Sequence, residues 1–249
     1  MTNGGRNVVF GEAADQYEAA RPGYPAELVD DVVAYAPTGP ALEVGAGTGK
    51  ATAAFAARGV EVTCVEPDPR MAAVLAAKLP RVRVEVTTFE DYPPGRAFAL
   101  LYAAQAWHWV DERRRWDLAR AALAPGGAVA VFRNHYGIAD PAALAALAAV
   151  DERHGVSTSS LHREIPARPL PEEHPLAGDP RFTDLDQRRY RHAAHYPAAR
   201  YLDLVGSVSA YRVLPPEVRA ELLAEVGALL GDGVEMTFAT DLVLARRAS

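Results

Sequence analysis

An α/β fold built on a parallel sheet is what this sequence predicts, and three observations predict it. A short apolar strand, Ala41-Leu42-Glu43-Val44, runs into Gly45-Ala46-Gly47-Thr48-Gly49 and then into a helix-forming run from Lys50 to Arg58 that Gly59 closes. A second strand, Val60 to Val65, ends at Glu66, 21 positions after Gly45. Apolar strands then alternate with helical runs as far as Phe132, the pattern of a sheet whose crossovers are helices. Strand, glycine turn and helix together let a nucleotide-like ligand approach bare backbone at a helix N-terminus.

Three ligands compete for such a turn. A phosphate-cradling loop ending in Gly49-Lys50 requires glycine at 44 and Ser or Thr at 51, and this chain has Val44 and Ala51. A nicotinamide dinucleotide site wants G-x-G-x-x-G, whose third glycine falls on Lys50; the spacing here is G-x-G-x-G. Glu43, two residues before Gly45, repels a pyrophosphate and attracts an ammonium group. An adenosine that carries an amino acid in place of phosphates fits all three observations, and S-adenosylmethionine is such a molecule.

The segments Glu43 to Gly49, Val65-Glu66-Pro67-Asp68 with Met71, Thr88-Phe89-Glu90-Asp91, and Ala104-Gln105-Ala106-Trp107-His108-Trp109-Val110 resemble the class I S-adenosylmethionine-dependent methyltransferases. Among these the likeness is to the small-molecule, trans-aconitate methyltransferase-like or type 11 group. It is specific over about the first half of the chain and diffuse afterwards. It implies a Rossmann-like, seven-stranded mixed sheet with the last strand antiparallel, helices on both faces and a C-terminal helical cap. It also implies a cofactor, S-adenosyl-L-methionine, released as S-adenosyl-L-homocysteine, and a small-molecule acceptor, carboxylate-bearing or phenolic. By the same resemblance the cofactor contacts are Tyr17, Arg21, Glu43, Gly45, Ala46, Gly47, Thr48, Gly49, Glu66, Pro67, Met71, Thr88, Phe89, Ala104 and Gln105. Thr88 departs from the family, which more often has an acid there. Two other classes stay open: a non-catalytic protein that binds the same cofactor, and an NAD-dependent oxidoreductase.

In chain order, residues 1–25 are an irregular arm that the resemblance folds over the cofactor, with Tyr17 and Arg21 on its carboxylate; alternatively Tyr17 and Tyr24 pack on the fold and Arg21 forms a surface pair. A helix over Ala26 to Ala36 places Leu28, Val29, Val32, Val33 and Ala36 on one face. Glu66 is placed at the strand end where ribose hydroxyls are bound. Pro67-Asp68-Pro69 starts the next helix, and Met71 either reaches the adenine edge or packs on the sheet. Strands follow at Val82 to Val86, Phe98 to Tyr102 and Ala128 to Phe132, with a helix capped by Asp111 ending near Leu123. His108 and His135 are the candidate bases should the acceptor need deprotonation, His108 having structural packing as its alternative.

Beyond strand five, Asp140-Pro141 starts an alanine-rich helix, and the residues from His154 to Pro180 carry no periodicity, as in a functional cap. Helices are expected at Ala198–Ser209 and Pro216–Leu230. The last strand, Val234 to Leu244, pairs with one at Leu185–His192. The chain therefore divides into an arm (1–25), a cofactor-binding core (26–133), a cap with strand six (134–230) and a final strand (231–249), all in one domain. The group Arg188, Arg189, Arg191, His192 and His195 attracts an anionic acceptor or merely guards a sheet edge.

Bulk properties bound the rest. A net charge of −6 offers no broad nucleic-acid surface. The one cysteine, Cys64, falls in a core strand and builds no disulfide framework. His135, His154, His162 and His174 have no metal-ligand spacing, so no metal is expected. Without an apolar run of membrane-spanning length or a signal pattern, the expected location is cytoplasmic. Oligomeric state is not encoded in any motif.

Overall fold

The computed structural model describes residues 23–93, 95–156, 161–162, 165 and 175–248. Tyr17, Arg21 and His174 lie outside them. Helix α1 (Ala26–Tyr35) buries Leu28, Val29 and Val32, three positions of one helical stripe. Strand β1 (Ala41–Val44) is buried along its whole length, as is β2 (Val62–Val65), and helix α2 (Lys50–Ala56) crosses between them. Helix α3 (Pro69–Lys78) begins where Asp68 accepts a hydrogen bond from the Arg70 N–H at 2.9 Å, with Pro69 at the first helical position. Strands β3 (Arg83–Glu85) and β4 (Phe98–Ala104) follow, then a 3₁₀ turn at Trp107–Trp109 and helix α4 (Arg115–Ala122). Asp111 caps the turn ahead of α4 by accepting from the Arg113 N–H at 2.9 Å, so the regular helix starts one turn later than its position suggests.

The remaining elements are β5 (Leu123–Ile138), α5 (Pro141–Arg153), β6 (Phe182–Pro197), α6 (Ala198–Ser207), α7 (Ser209–Arg212), α8 (Pro216–Leu230) and β7 (Gly233–Arg247). They complete one sheet in the order β3-β2-β1-β4-β5-β7-β6. The pairs among β1 to β5 are parallel, and β7 is inserted antiparallel to both β5 and β6. Strand order reverses between β1 and β4, which opens a crevice at their carboxyl ends where ligands of open α/β sheets bind. This is the Rossmann-like, seven-stranded mixed sheet that the resemblance implies. Strands β6 and β7 pair as expected, across the helices α6, α7 and α8 that separate them in sequence.

Each face of the sheet has its own apolar cluster. On one, Leu28, Phe55 and Leu75 from α1, α2 and α3 pack on Ala41, Leu100 and Tyr102. On the other, Trp116 and Ala119 of α4 join Phe89 and Trp107 over Leu42, Val44 and Leu101. A third cluster is the cap: Leu147 and Val150 of α5, Tyr201 and Leu204 of α6, and Leu222 and Val226 of α8 close around Tyr136, Ile138, Met236 and Phe238. Strand β5 can carry that cap because it runs past the expected Phe132. Its polar residues 133–136 look like a loop until β7 pairs with them, Arg133 opposite Asp241 and His135 opposite Ala239. No helix among the described residues is long and apolar enough to cross a membrane.

Candidate active site

The glycine turn leaves β1 at the sheet crevice, held by Gly45 and Ala46 N–H groups donating to the Val65 carbonyl at 2.8 and 3.2 Å. Two of its glycines are needed for different reasons. A Cβ on Gly45, at φ 68°, would lie 2.4 Å from the Ala106 Cβ, so this glycine lets the β4 turn press against the loop. A Cβ on Gly47, at φ 57°, would meet only the Met71 sulfur, at 4.0 Å. The space above Gly47 is open on the protein side, as it must be for a ligand to lie against the backbone there. Ala46 and Thr48 are buried in the floor, and the Thr48 carbonyl accepts from Lys78 Nζ at 3.1 Å.

Glu66 closes the far side. Its Oε2 accepts from the Gly47 N–H at 2.7 Å and its Oε1 from the Asp68 N–H at 2.9 Å, so one carboxylate ties the two loops of the crevice together. Burial pushes its pKa up, against the pull of those two amides. Each oxygen retains capacity for a further donor, which suits a vicinal diol. Phe89 is buried against Trp107, ring centres 6.1 Å apart, and Trp107 sits 4.9 Å from Trp116. Met71 is buried and Pro67 is exposed at the same rim. Ala104 ends β4 and Gln105 follows it, both half-buried, beside Ala106.

A family model described as a methyltransferase domain matches residues 41–127. The chain is 31% identical over 234 residues to an uncharacterised methyltransferase of Mycobacterium bovis, covering 90% of this chain and 86% of that relative. A 98-residue stretch, 38% of each chain, is 33% identical to trans-aconitate 2-methyltransferase of Rhizobium meliloti. A solved structure of a type II methyltransferase candidate from Anaeromyxobacter dehalogenans superposes with a TM-score of 0.62 at 26% identity, covering 91% of this chain and 97% of that one. This chain belongs to the S-adenosylmethionine-dependent methyltransferases.

As a methyltransferase it uses S-adenosylmethionine, and the donor set fits that molecule. There is a bare backbone face at Gly47, a two-oxygen acceptor at Glu66 and an apolar rim at Met71 and Phe89. One expectation about the turn needs correction. Glu43 does not guard its mouth. Strand alternation points Glu43 to the α2 side with Ala41, and only 1% of the residue is exposed. Its Oε2 accepts from Thr52 Oγ1 at 2.6 Å and the Tyr102 hydroxyl at 2.8 Å, and burial raises its pKa to about 7. The carboxylate therefore underpins the turn from within the core. Thr88 is likewise turned to its own loop, its hydroxyl donating to Asp91 at 2.8 Å.

The two histidines proposed as bases part company. His108 is exposed beside Trp109, ring centres 4.7 Å apart, and both partial burial and the neighbouring Arg133 guanidinium lower its pKa. It is thus neutral at neutral pH, the form a base requires. His135 lies on the face of β5 opposite to Asn134 and Tyr136, with Nε2 3.1 Å from Asp241 Oδ2. Asp241 also takes Arg189 Nε at 2.5 Å, so His135 shares one carboxylate with Arg189.

The basic group of β6 is divided in the same way. Arg188 pairs with Asp31 at 2.7 Å and Asp186 at 2.8 Å, His195 with Glu235 at 2.9 Å, and His192 stacks on Phe238 at 4.8 Å. Alternation along the strand sends Arg189 to one face and Arg188 to the other. Among the described residues no three His, Cys, Asp or Glu side chains gather as metal ligands do.

Residues the sequence did not single out complete the neighbourhood. Gln105 Nε2 reaches the Tyr136 hydroxyl at 3.3 Å and the Asn134 carbonyl at 3.5 Å, while Thr240 Oγ1 donates to Asn134 Oδ1 at 2.7 Å. The alternation Phe132, Asn134, Tyr136 is the signal that could have found them, had β5 been read to its full length.

Proposed function

We propose that this methyltransferase acts on a small acceptor, carboxylate-bearing or phenolic, held between the carboxyl edge of the sheet and the cap. The observation that carries this reading is the cap cluster standing on the extended ends of β5 and β7, next to the β4 turn. An apolar cap of this kind suits a small molecule, and the net charge of −6 offers no broad nucleic-acid surface. The stretch shared with trans-aconitate 2-methyltransferase supports a carboxylate-bearing acceptor.

In this reading Gly45, Ala46, Gly47, Thr48 and Gly49 lie along the methionine portion, above Glu43. Glu66 takes the ribose hydroxyls on the lone pairs that Gly47 and Asp68 do not use. Pro67, Met71, Thr88 and Phe89 frame the adenine, and Ala104 and Gln105 flank the methionine arm; Tyr17 and Arg21, outside the described residues, are kept as candidate contacts on the resemblance alone. S-adenosylmethionine supplies a methyl group already activated by the sulfonium charge. The protein's part is therefore chiefly alignment and exclusion of water: orientation is worth ~7–11 kcal/mol, against about 10²–10⁴-fold from a general base. His108, held neutral, serves as that base where the acceptor is a phenol.

The test is a panel of small acids, phenols and amines incubated with the full chain and S-adenosylmethionine, reading S-adenosylhomocysteine formed. Turnover with an acid or a phenol is expected. Silence across those two classes, in protein that binds S-adenosylhomocysteine, contradicts the acceptor assignment.

A further inference from the structure

Arg133 stands where β5 leaves the parallel part of the sheet. The pairing of β4 with β5 ends at Ala104 and Phe132, and the Gln105 N–H donates to the Phe132 carbonyl at 3.0 Å. Arg133 is therefore the first β5 residue past the bond that ties the β4 turn to this strand. Alternation puts its side chain on the face of Val129 and Val131, where Trp107 and Trp116 also pack. Trp107 thus anchors the 3₁₀ turn Trp107–Trp109 on that same face. The neighbouring charge that acts on the His108 imidazole is that of Arg133.

Charges on this face do not balance locally. In strand register Arg133 lies opposite Asp241, yet that carboxylate is already taken. Its Oδ1 accepts from Arg189 Nε at 2.5 Å, and its Oδ2 accepts from Arg189 Nη2 at 2.7 Å and lies 3.1 Å from His135 Nε2. Two guanidinium groups stand against one carboxylate, and Arg189 holds it with both of its forked donors. Arg133 is exposed and has no acidic partner among the described residues. Arg188, by contrast, is paired with Asp31 and Asp186. Protection of a sheet edge does not account for Arg133, because β5 is an interior strand flanked by β4 and β7. In a chain of net charge −6, a surplus cation beside the β4 turn calls for an anion.

We propose that Arg133 is the carboxylate anchor of the acceptor, taking that group on its guanidinium fork beside His108. The assignment deepens the function proposed above and rests on its carboxylate-bearing acceptor. Paired N–H donors match the two oxygens of a carboxylate, so the contact fixes orientation as well as position. Arg133 supplies charge and direction and moves no proton. It is a specificity-determining residue, selecting acceptors that carry an acid over neutral ones of the same shape.

The test compares acids with their neutral isosteres. 4-Hydroxybenzoate is paired with 4-hydroxybenzamide, and glutarate with glutaramide. Each is titrated calorimetrically into the full chain saturated with S-adenosylhomocysteine, as parent, Arg133→Gln and Arg133→Lys. In the parent at least one acid should bind about tenfold or more tighter than its amide, as a hydrogen-bonded charge pair gives. In Arg133→Gln that preference should fall to about twofold or less, with Arg133→Lys, a charge without the fork, in between. Affinity for S-adenosylhomocysteine and the urea midpoint should stay those of the parent. A parent without preference for either acid, or a preference that survives in Arg133→Gln, overturns the proposal. So does a matching loss of S-adenosylhomocysteine affinity in Arg133→Gln, which would assign the guanidinium to the cofactor's own carboxylate. The turnover panel separates this anchor from the broader reading. Turnover of an acid at a rate indifferent to Arg133→Gln keeps the reading and overturns the anchor. Acid binding that depends on Arg133, with no acid turned over, upholds the anion site and overturns the reading.

Discussion

Replacing Glu43 by glutamine should erase a specific pH dependence of folding stability. The carboxylate is 1% exposed and its hydrogen-bond donors, Thr52 and Tyr102, compensate only part of the lost hydration, so its pKa rises from 4.5 to about 7. Between those values the folded chain holds a proton that the unfolded chain has released. Stability is therefore greatest below the unfolded pKa, falls as pH rises through about 7 and is level above it. The full drop corresponds to about 3 kcal/mol. Burial raises Glu66 as well and slopes the wild-type curve the same way, so the quantity to read is variant minus wild type, in which that contribution cancels. Urea unfolding without cofactor, at pH 5, 6, 7 and 8, should show the Glu43→Gln variant gaining on wild type by about 2.5 kcal/mol across the series, the rest of the drop lying below pH 5. A constant difference at all four pH values would mean that Glu43 titrates as a solvated acid and does not support the turn from the core.

Other substitutions separate folding from binding. Gly45→Ala drives a methyl group into Ala106 at φ 68° and should lower stability by about 1–3 kcal/mol in a urea melt, an effect absent if the β4 turn were loose. At Gly47 an added Cβ meets nothing nearer than the Met71 sulfur at 4.0 Å, so Gly47→Val, at a backbone cost of about 1–3 kcal/mol for φ 57°, should still unfold cooperatively while calorimetric binding of S-adenosylhomocysteine disappears; normal binding would place the cofactor elsewhere. Glu66→Ala removes the acceptor of the Gly47 and Asp68 N–H groups and should weaken S-adenosylhomocysteine by about 1–3 kcal/mol, with unchanged affinity counting against the ribose assignment. Arg189→Ala leaves the largely buried Asp241 with His135 and should cost about 1–3 kcal/mol of stability without altering cofactor affinity.

What the sequence made legible was local in the chain. The glycine turn, the helix it opens and Glu66 closing the second strand are contiguous signals, and the strands through β4 follow from runs of apolar residues. Long-range pairing was not legible. Residues 133–138 become strand only because β7, about a hundred positions later, lies beside them. That pairing alone decides that Tyr136, and not His135, shares the face of Asn134. For the same reason the basic run of β6 read as one cluster, whereas Asp31, Asp241 and Glu235 neutralise its members on two faces. Glu43 was identified as significant but aimed wrongly: in a four-residue buried strand nothing in the sequence tells which face receives α2 and which receives α4.

The central claim is that the crevice between the Gly47 backbone and Glu66 seats the adenosyl cofactor. A crystal structure of the full chain with S-adenosylhomocysteine tests it most directly. The ribose hydroxyls should lie on the Glu66 carboxylate and the amino-acid portion should cross bare Gly47 toward Gln105. Density for the ligand in any other cleft, with this crevice filled by water, would contradict the account.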